Sequence, residues 1–236
     1  MKALVLAAEN ENRFKSHTSK CMVDVNGHPL IDYVLDGIVD TDINEILIVI
    51  GYRGDSIINH VGSRYKGKKV GYIYQNDPRG IVHAIDKASC CFDRGDFMLM
   101  LADEFMEAPR QKQMIKEFYE SDSFVLCGIC KVEDLELIKN NYTVEYGPKG
   151  NIFKLIEKPS EPFNNDLGTG VIIFNNSICN YIGETPINPI RKEKDLVDLI
   201  QCAINDHKKV KSFNICDHYF NINTPEDLQS LQAYLS

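Results

Sequence analysis

The stretch MKALVLAAENENRFKSHTSKCMVDVNGHPL, residues 1–30, decides how the rest of the chain is read. Ala3 to Ala8 is a short apolar run beginning two residues after the first Met, with no room for an element before it, which predicts a central strand of an α/β sheet. It runs directly into a polar loop carrying Arg13 and Lys20, and the loop beyond such a strand's carboxyl end is the usual ligand crevice of open α/β sheets. A planar guanidinium and a compact ammonium in one loop can hold successive phosphates of a triphosphate. A plain solvated surface loop has the same appearance, so the remaining segments must decide.

Outward from this strand, similar runs recur at Glu45–Ile50, Val70–Tyr74, Phe97–Leu101, Phe124–Val132, Ile152–Ile156 and Gly170–Phe174. Helical patterns lie between several of them: Ile31–Val39 with apolar residues at 31, 34, 35 and 38, Val82–Cys91 opening after Gly80, and Gln111–Tyr119 following Pro109. A last helical segment, Leu196–Asn205, precedes a short strand and a closing helix at Pro225–Leu235. The alternation predicts α/β architecture: a three-layer α/β/α sandwich around a Rossmann-like, mostly parallel mixed sheet. The second half, with Asn, Gly and Pro clusters at 147–151 and 159–170, is expected to build a lid or pocket wall. At 236 residues, one domain covering 1–236 is expected, with no appended domain.

A hydrophobic content of 44% and a charged content of 25% are ordinary for a globular protein, and no segment reaches the roughly 18 uninterrupted apolar residues of a membrane span. The first residues lack the apolar core of a secretory signal, so a cytoplasmic location is expected. A net charge of -8 argues against a nucleic-acid surface and favours a small ligand held in a local basic cleft. The eight cysteines lie mostly in apolar stretches, as reduced core thiols do. Cys127 and Cys130 form a CxxC, but within a strand they point to opposite faces, which argues against a shared metal.

Five segments together resemble the sugar-nucleotide pyrophosphorylases, nucleotidyltransferases of the glucose-1-phosphate thymidylyltransferase type. The family's LAAGxGxR loop and following PK stand here as Leu6, Ala7, Ala8, Glu9, Asn10, Glu11, Asn12, Arg13, then Ser19 and Lys20. Gln75 and Gly80 in QNDPRGIVHAI resemble its nucleobase segment, and LMLADEF resembles its LLGD. Glu157, Lys158 and Pro159 match EKP; Arg191, Glu193, Asp195 and Asp198 match RxExExxD; YFNINTPEDL at 219–228 matches the closing metal segment. The resemblance covers almost the whole chain. It implies transfer of a nucleoside monophosphate from a triphosphate to a sugar 1-phosphate or a related phospho-alcohol, with release of pyrophosphate and with Mg2+ as cofactor. By resemblance Ala7, Ala8, Glu9, Gln75, Gly80 and Asp103 bind the nucleotide. Arg13, Lys20 and Lys158 are the catalytic cations. Glu104, Thr143, Glu157, Lys158, Gly170 and Arg191 surround the acceptor, and Asp103 with Asn221 holds the metal. Relatives are often homo-oligomers, which leaves that state open here.

The chemistry independently requires such residues. When an acceptor phosphate oxygen attacks the α-phosphorus, negative charge crowds a small volume, and catalysis is mainly positioning and charge stabilisation. The attacking phosphate is already ionised, so no general base is strictly required. Each assignment has a plainer rival: Lys158 and Arg191 as surface charges, Asp103 as a turn residue, and Asn221 and Asn223 as turn formers before a helix capped by Thr224 with Pro225 at its first position. His17, His28 and His83 are read as incidental.

The sequence departs from the family where two loop glycines are Glu9 and Glu11. Two unit charges about 4 Å apart repel by roughly 4 kcal/mol at an effective dielectric near 20, a several-hundredfold loss of affinity if nothing relieves it. Ser19, Ala102, Thr143 and Asn221 also replace the commoner Pro, Gly, Gly and Asp, though an Asn oxygen still suits Mg2+. The competing expectations are an active nucleotidyltransferase, a non-catalytic relative that has lost triphosphate binding through Glu9 and Glu11, and a glycosyltransferase on the same type of sheet. The nucleobase and acceptor stay open.

Overall fold

The computed structural model describes residues 1–8, 19–51, 53–77 and 79–235. Glu9, Glu11, Arg13 and His17 lie outside the described residues. In chain order the first half runs β1 (Lys2–Ala7), β2 (Asp24–Val25), β3 (His28–Pro29), α1 (Leu30–Val39), β4 (Glu45–Ile50), α2 (Gly54–Val61), β5 (Arg64–Tyr65), β6 (Lys68–Tyr74), α3 (Gly80–Ala88), β7 (Phe97–Leu101), β8 (Glu104–Glu107) and α4 (Gln111–Glu120). The second half runs β9 (Val125–Lys131), β10 (Tyr142–Tyr146), β11 (Ile152–Glu157), β12 (Asp166–Phe174), α5 (Leu196–Asn205), β13 (Val210–Asn214), β14 (His218–Asn221) and α6 (Pro225–Tyr234).

Ten of these strands form one mixed sheet with the path β11-β10-β12-β7-β1-β4-β6-β5, and β9 joins β12 to β13. The β7-β1-β4-β6 part is parallel, and β12 is antiparallel to β7, β9 and β10. β1 is therefore interior, as its uniformly apolar sequence predicts. Its alternate residues feed two separate cores. Ala3, Val5 and Ala7 pack on one face with α1, α2 and α4, while Leu4 and Ala8 pack on the other with α3 and α5. This is the expected three-layer α/β/α sandwich. Each helix turns a stripe at helical spacing inward; in α1 it is Leu30, Ile31, Val34, Leu35 and Ile38. Cys127 belongs to one core and Cys130 to the other, so the CxxC straddles the sheet.

Two features position the site. First, β12 is long, and one of its edges serves two partners: Ile172, Ile173 and Phe174 pair with β7, whereas Gly168 pairs with Tyr142 of β10. The sheet forks there, and Thr169–Val171 faces the gap. Second, β8 and β14 form a separate ribbon pairing Glu104 with Asn221, outside the main sheet. Val25, Phe105, Ile222 and Leu231 bury beside it in a small third core, which anchors the ribbon, the β2–β3 hairpin and α6 to one another. Burying one such side chain contributes about 1.5–3 kcal/mol.

Candidate active site

Lys20 stands on a short 3-10 turn, Lys20–Met22, whose Cys21 is buried. Its Nζ lies 2.6 Å from Asp103 Oδ2 and donates also to Asn223 Oδ1 at 2.9 Å. Only 9% of the Lys20 side chain is exposed, so the charge is held by its partners and not by water. Asp103 sits in the turn between β7 and β8, and its carbonyl accepts the Ile222 N–H at 2.9 Å. Three segments far apart in sequence thus converge beyond the carboxyl end of β7. Asn221 Oδ1 is buried there without a hydrogen-bond partner among the described residues. A buried unpaired amide oxygen costs about 1–3 kcal/mol, which makes it a group awaiting a ligand or a water. Together with the Asp103 carboxylate it is a donor set that fits a hard, oxygen-seeking cation such as Mg2+. No cluster of three or more His, Cys, Asp or Glu able to hold a metal exists among the described residues.

Glu104 fills the sheet fork. It is 4% exposed, accepts the Gly170 N–H at 2.8 and 3.0 Å and the Tyr219 hydroxyl at 2.7 Å. Burial pushes its carboxyl up to about 8, with Asp103 adding to the rise and Tyr219, Gly170 and Lys20 opposing it. A Cβ on residue 170 would stand 2.7 Å from Glu104 Oε1 and inside the Leu101 side chain, so the fork closes only on glycine. Tyr219 links this strut to the acceptor side, its hydroxyl lying 3.4 Å from Asn141 Oδ1, while the Asn141 carbonyl accepts the Lys158 N–H at 2.7 Å.

Lys158 is exposed and has φ +46°, an uncommon backbone conformation for a residue with a Cβ. Beside it Glu157 is half-buried, its carboxyl raised by burial against the pull of Lys158 and Arg191. Arg191 Nη1 lies 3.7 Å from Glu157 and Nη2 2.6 Å from Asp195. Burial works against the Arg191 charge, but Asp195 and Glu157 outweigh it and hold the guanidinium firmly protonated. Glu157 thus lies between Arg191 and the next residue in the chain, Lys158. Thr143 is fully buried, its hydroxyl bonded to Asn164 Oδ1 and the Asp166 carbonyl at 2.7 and 2.8 Å. That hydroxyl is committed within the sheet margin.

On the other flank, Ala7 ends β1 and Ala8 follows it, both buried. Gln75 directly follows β6, donates its backbone N–H to Ile50 O at 2.8 Å and is 3% exposed. Its Nε2 lies 2.8 Å from His83 Nδ1. His83 is therefore not incidental, a correction to the sequence reading: it sits one turn into α3 and bonds the expected base-reading amide. Gly80 opens α3 with φ +84°, and the Glu193 carboxylate lies 2.8 Å from where a Cβ would stand, which brings the RxExExxD segment against the QNDPRG loop.

Sequence reasoning misses Asn141, Tyr219 and the Lys20 contact of Asn223. Tyr219 and Asn223 do stand inside a quoted motif. Asn141 carries no signal, since its contacts are a backbone carbonyl to Lys158 and a side chain to Tyr219, 78 positions away.

The family model described as nucleotidyl transferase matches residues 14–234. UTP–glucose-1-phosphate uridylyltransferase AglF of Haloferax volcanii is 29% identical, covering 100% of this chain and 96% of that protein. A glucose-1-phosphate thymidylyltransferase of Streptomyces griseus is 29% identical over 97% of this chain, which spans 64% of its length. Among solved structures, a UDP-glucose pyrophosphorylase complexed with UDP-glucose superposes with a TM-score of 0.86 at 19% identity, covering 99% of this chain and 97% of that one. At that identity the likeness is one of fold.

Proposed function

Since the chain belongs to the nucleotidyl transferase family, whose activity is nucleotidyl transfer onto sugar phosphates, we propose that it transfers the monophosphate of UTP or dTTP to a hexose 1-phosphate and releases pyrophosphate. The observation that chiefly supports this reading is the convergence of Lys20, Asp103, Asn221 and Asn223, where a buried cation is already paired and a buried amide oxygen is not. A fold kept only for assembly has no use for either.

In the reaction an acceptor phosphate oxygen bonds to the α-phosphorus while the bond from that phosphorus to the bridging oxygen of the β-phosphate breaks, and pyrophosphate leaves with the electron pair. No proton needs to move. Lys20 faces the α-phosphate, exchanging part of its bond to Asp103 for phosphate oxygens. Lys158 and Arg191 hold the acceptor phosphate, and Glu157 accepts hydrogen bonds from sugar hydroxyls. Gln75 and the Gly80 N–H hold the base, and Arg13 takes the leaving pyrophosphate. Asp103 and Asn221 would hold Mg2+, which when bound would supply further charge neutralisation at the phosphates. Cations in a water-poor site are each worth about 10²–10³ in rate when aimed at developing charge. Glu104 braces the site by accepting from the Gly170 N–H and the Tyr219 hydroxyl.

The test is pyrophosphate release from the purified protein with Mg2+, each common nucleoside triphosphate, and a panel of sugar 1-phosphates and phospho-alcohols. Release with UTP or dTTP and a hexose 1-phosphate that disappears in Lys20→Ala is expected. No release with any pair, with no triphosphate binding by calorimetry, would overturn the proposal. In that case Glu9→Gly with Glu11→Gly would show whether the two carboxylates are the cause.

A further inference from the structure

Gln75 and His83 form a pair that the function proposed above uses only in part. Gln75 is almost fully buried, and the amide donates from Nε2 to His83 Nδ1 at 2.8 Å, which places the ring proton on the other nitrogen. Among the described residues the amide has no other hydrogen-bond partner, so one N–H and Oε1 remain for a ligand. A flipped amide would set Oε1 against the Nδ1 lone pair and would need the ring proton on Nδ1 as well, so amide and tautomer turn over together and not separately. His83 lies three residues beyond Gly80 on α3, so one rigid helix carries both the lock and the glycine at its mouth.

We infer that His83 is the positioning residue that holds the Gln75 amide in one orientation and so selects a base with an imide N–H beside a carbonyl, uracil or thymine, over cytosine. Cytosine offers a ring acceptor beside an amino group, the reverse order, which a fixed amide cannot match at both places. This rests on the nucleotidyl-transfer reading and extends it to the origin of base choice. The surroundings favour the neutral ring that accepts: burial lowers the readiness of His83 to protonate, and Arg79 and Lys87 add to this against Asp86 and Asp77.

The experiment compares the unaltered protein with His83→Phe, which keeps a ring and removes the acceptor, and His83→Asn, whose Oδ1 can stand in for Nδ1. Steady-state pyrophosphate release with UTP, dTTP and CTP at saturating acceptor yields kcat and KM for each. Calorimetric binding of UTP and CTP gives the same ratio without turnover. The Phe variant is expected to raise KM for the preferred triphosphate about tenfold, to leave kcat within about twofold, and to narrow the uracil-over-cytosine preference by about tenfold, as loss of one buried hydrogen bond would do. The Asn variant recovers most of both effects. Unchanged preference in the Phe variant, or a loss confined to kcat and melting temperature that Asn does not rescue, would overturn the inference while leaving the nucleotidyl-transfer reading standing. An unaltered protein that binds no triphosphate would overturn both. Independently of variant folding, the 15N shifts of His83 in the unaltered protein with UTP bound report the tautomer, and a protonated Nδ1 would also overturn it.

Discussion

The two halves of the sheet present charge in different ways. In the parallel half, β7-β1-β4-β6, the strands all end on one side, and the Lys20 charge is sunk at 9% exposure between Asp103 and Asn223. In the antiparallel half, strands end on both sides, and of the basic groups Lys158, just past the end of β11, is exposed and Arg191, in the turn segment before α5, is 36% exposed. A buried, pre-paired cation is preorganised and acts where charge develops, whereas an exposed one is screened and mainly attracts and holds a ligand. The comparison teaches that the reacting phosphate should depend on the parallel half and acceptor capture on the antiparallel half.

The largest effect that could break this division is at Lys20. Lys20→Ala should lower kcat by about 10³, the upper range for removing one preorganised charge, and pyrophosphate release at saturating substrates measures it. A loss appearing in KM alone would put Lys20 with the exposed group. At the seam between the halves, Gly170→Ala forces a Cβ against Glu104 and Leu101 and should cost about 1–3 kcal/mol, read as a lower urea midpoint, with activity falling alongside. Stability unchanged in that variant would mean that the fork is not a shared support. Lys158→Ala should raise KM for the acceptor about tenfold and leave KM for the triphosphate unchanged, the signature of lost ground-state binding. An equal rise for both substrates would erase the proposed division.

Smaller effects sharpen the comparison. Thr224 accepts the Asp227 N–H while Asp227 accepts the Thr224 N–H, a capping box with Pro225 at the first helical position. Thr224→Ala should cost about 1 kcal/mol in chemical denaturation and change kcat far less than Lys20→Ala does, because the lost hydroxyl serves the first turn of α6 while the Asn223 N–H beside it still donates to Asp227. Asn221→Ala is expected not to lower metal-free stability, since it removes a buried oxygen whose lack of a partner itself costs about 1–3 kcal/mol, yet to weaken any Mg2+-dependent rise in melting temperature. A marked loss of metal-free stability would show that Asn221 is structural.

Much of the architecture is legible in sequence because its cause is local. Ala3–Ala8 and Glu45–Ile50 read as strands since burial on both faces leaves no room for polar residues. The Thr224 cap reads as a cap because its geometry lies within four residues. By contrast α2, β8, β10 and β14 go unrecognised: β10 and β14 mix polar with apolar residues, and α2 shows only Ile57 and Val61 turned fully inward beyond its opening glycine. Asp166–Gly168 reads as loop because Asn and Gly surround it, yet pairing with β9 and β10 makes it strand. Tertiary pairing overrides local preference there. The site shows the same limit. Motifs name Lys20, Asp103, Gln75, Glu157 and Arg191, but the contact of Lys20 with Asp103 spans 83 positions and that of Tyr219 with Glu104 spans 115. Only the folded chain brings these together. His83 illustrates it at short range: eight positions from Gln75, it is a partner because β6 ends where α3 begins its first turn.

One edge of β12 holds both β7 and β10, and this has a consequence for how the protein can vary. Successive strand residues point to opposite faces, so adding or deleting a single residue between Gly168 and Ile172 would turn one half of the strand over relative to the other. Insertions can accumulate in the loops at 159–165 or 183–194 without disturbing that register. The spacing between the two flanks of the cleft is thus set by a ruler five residues long, and a lineage of such proteins could remake its choice of acceptor loop by loop while never altering the ruler's length.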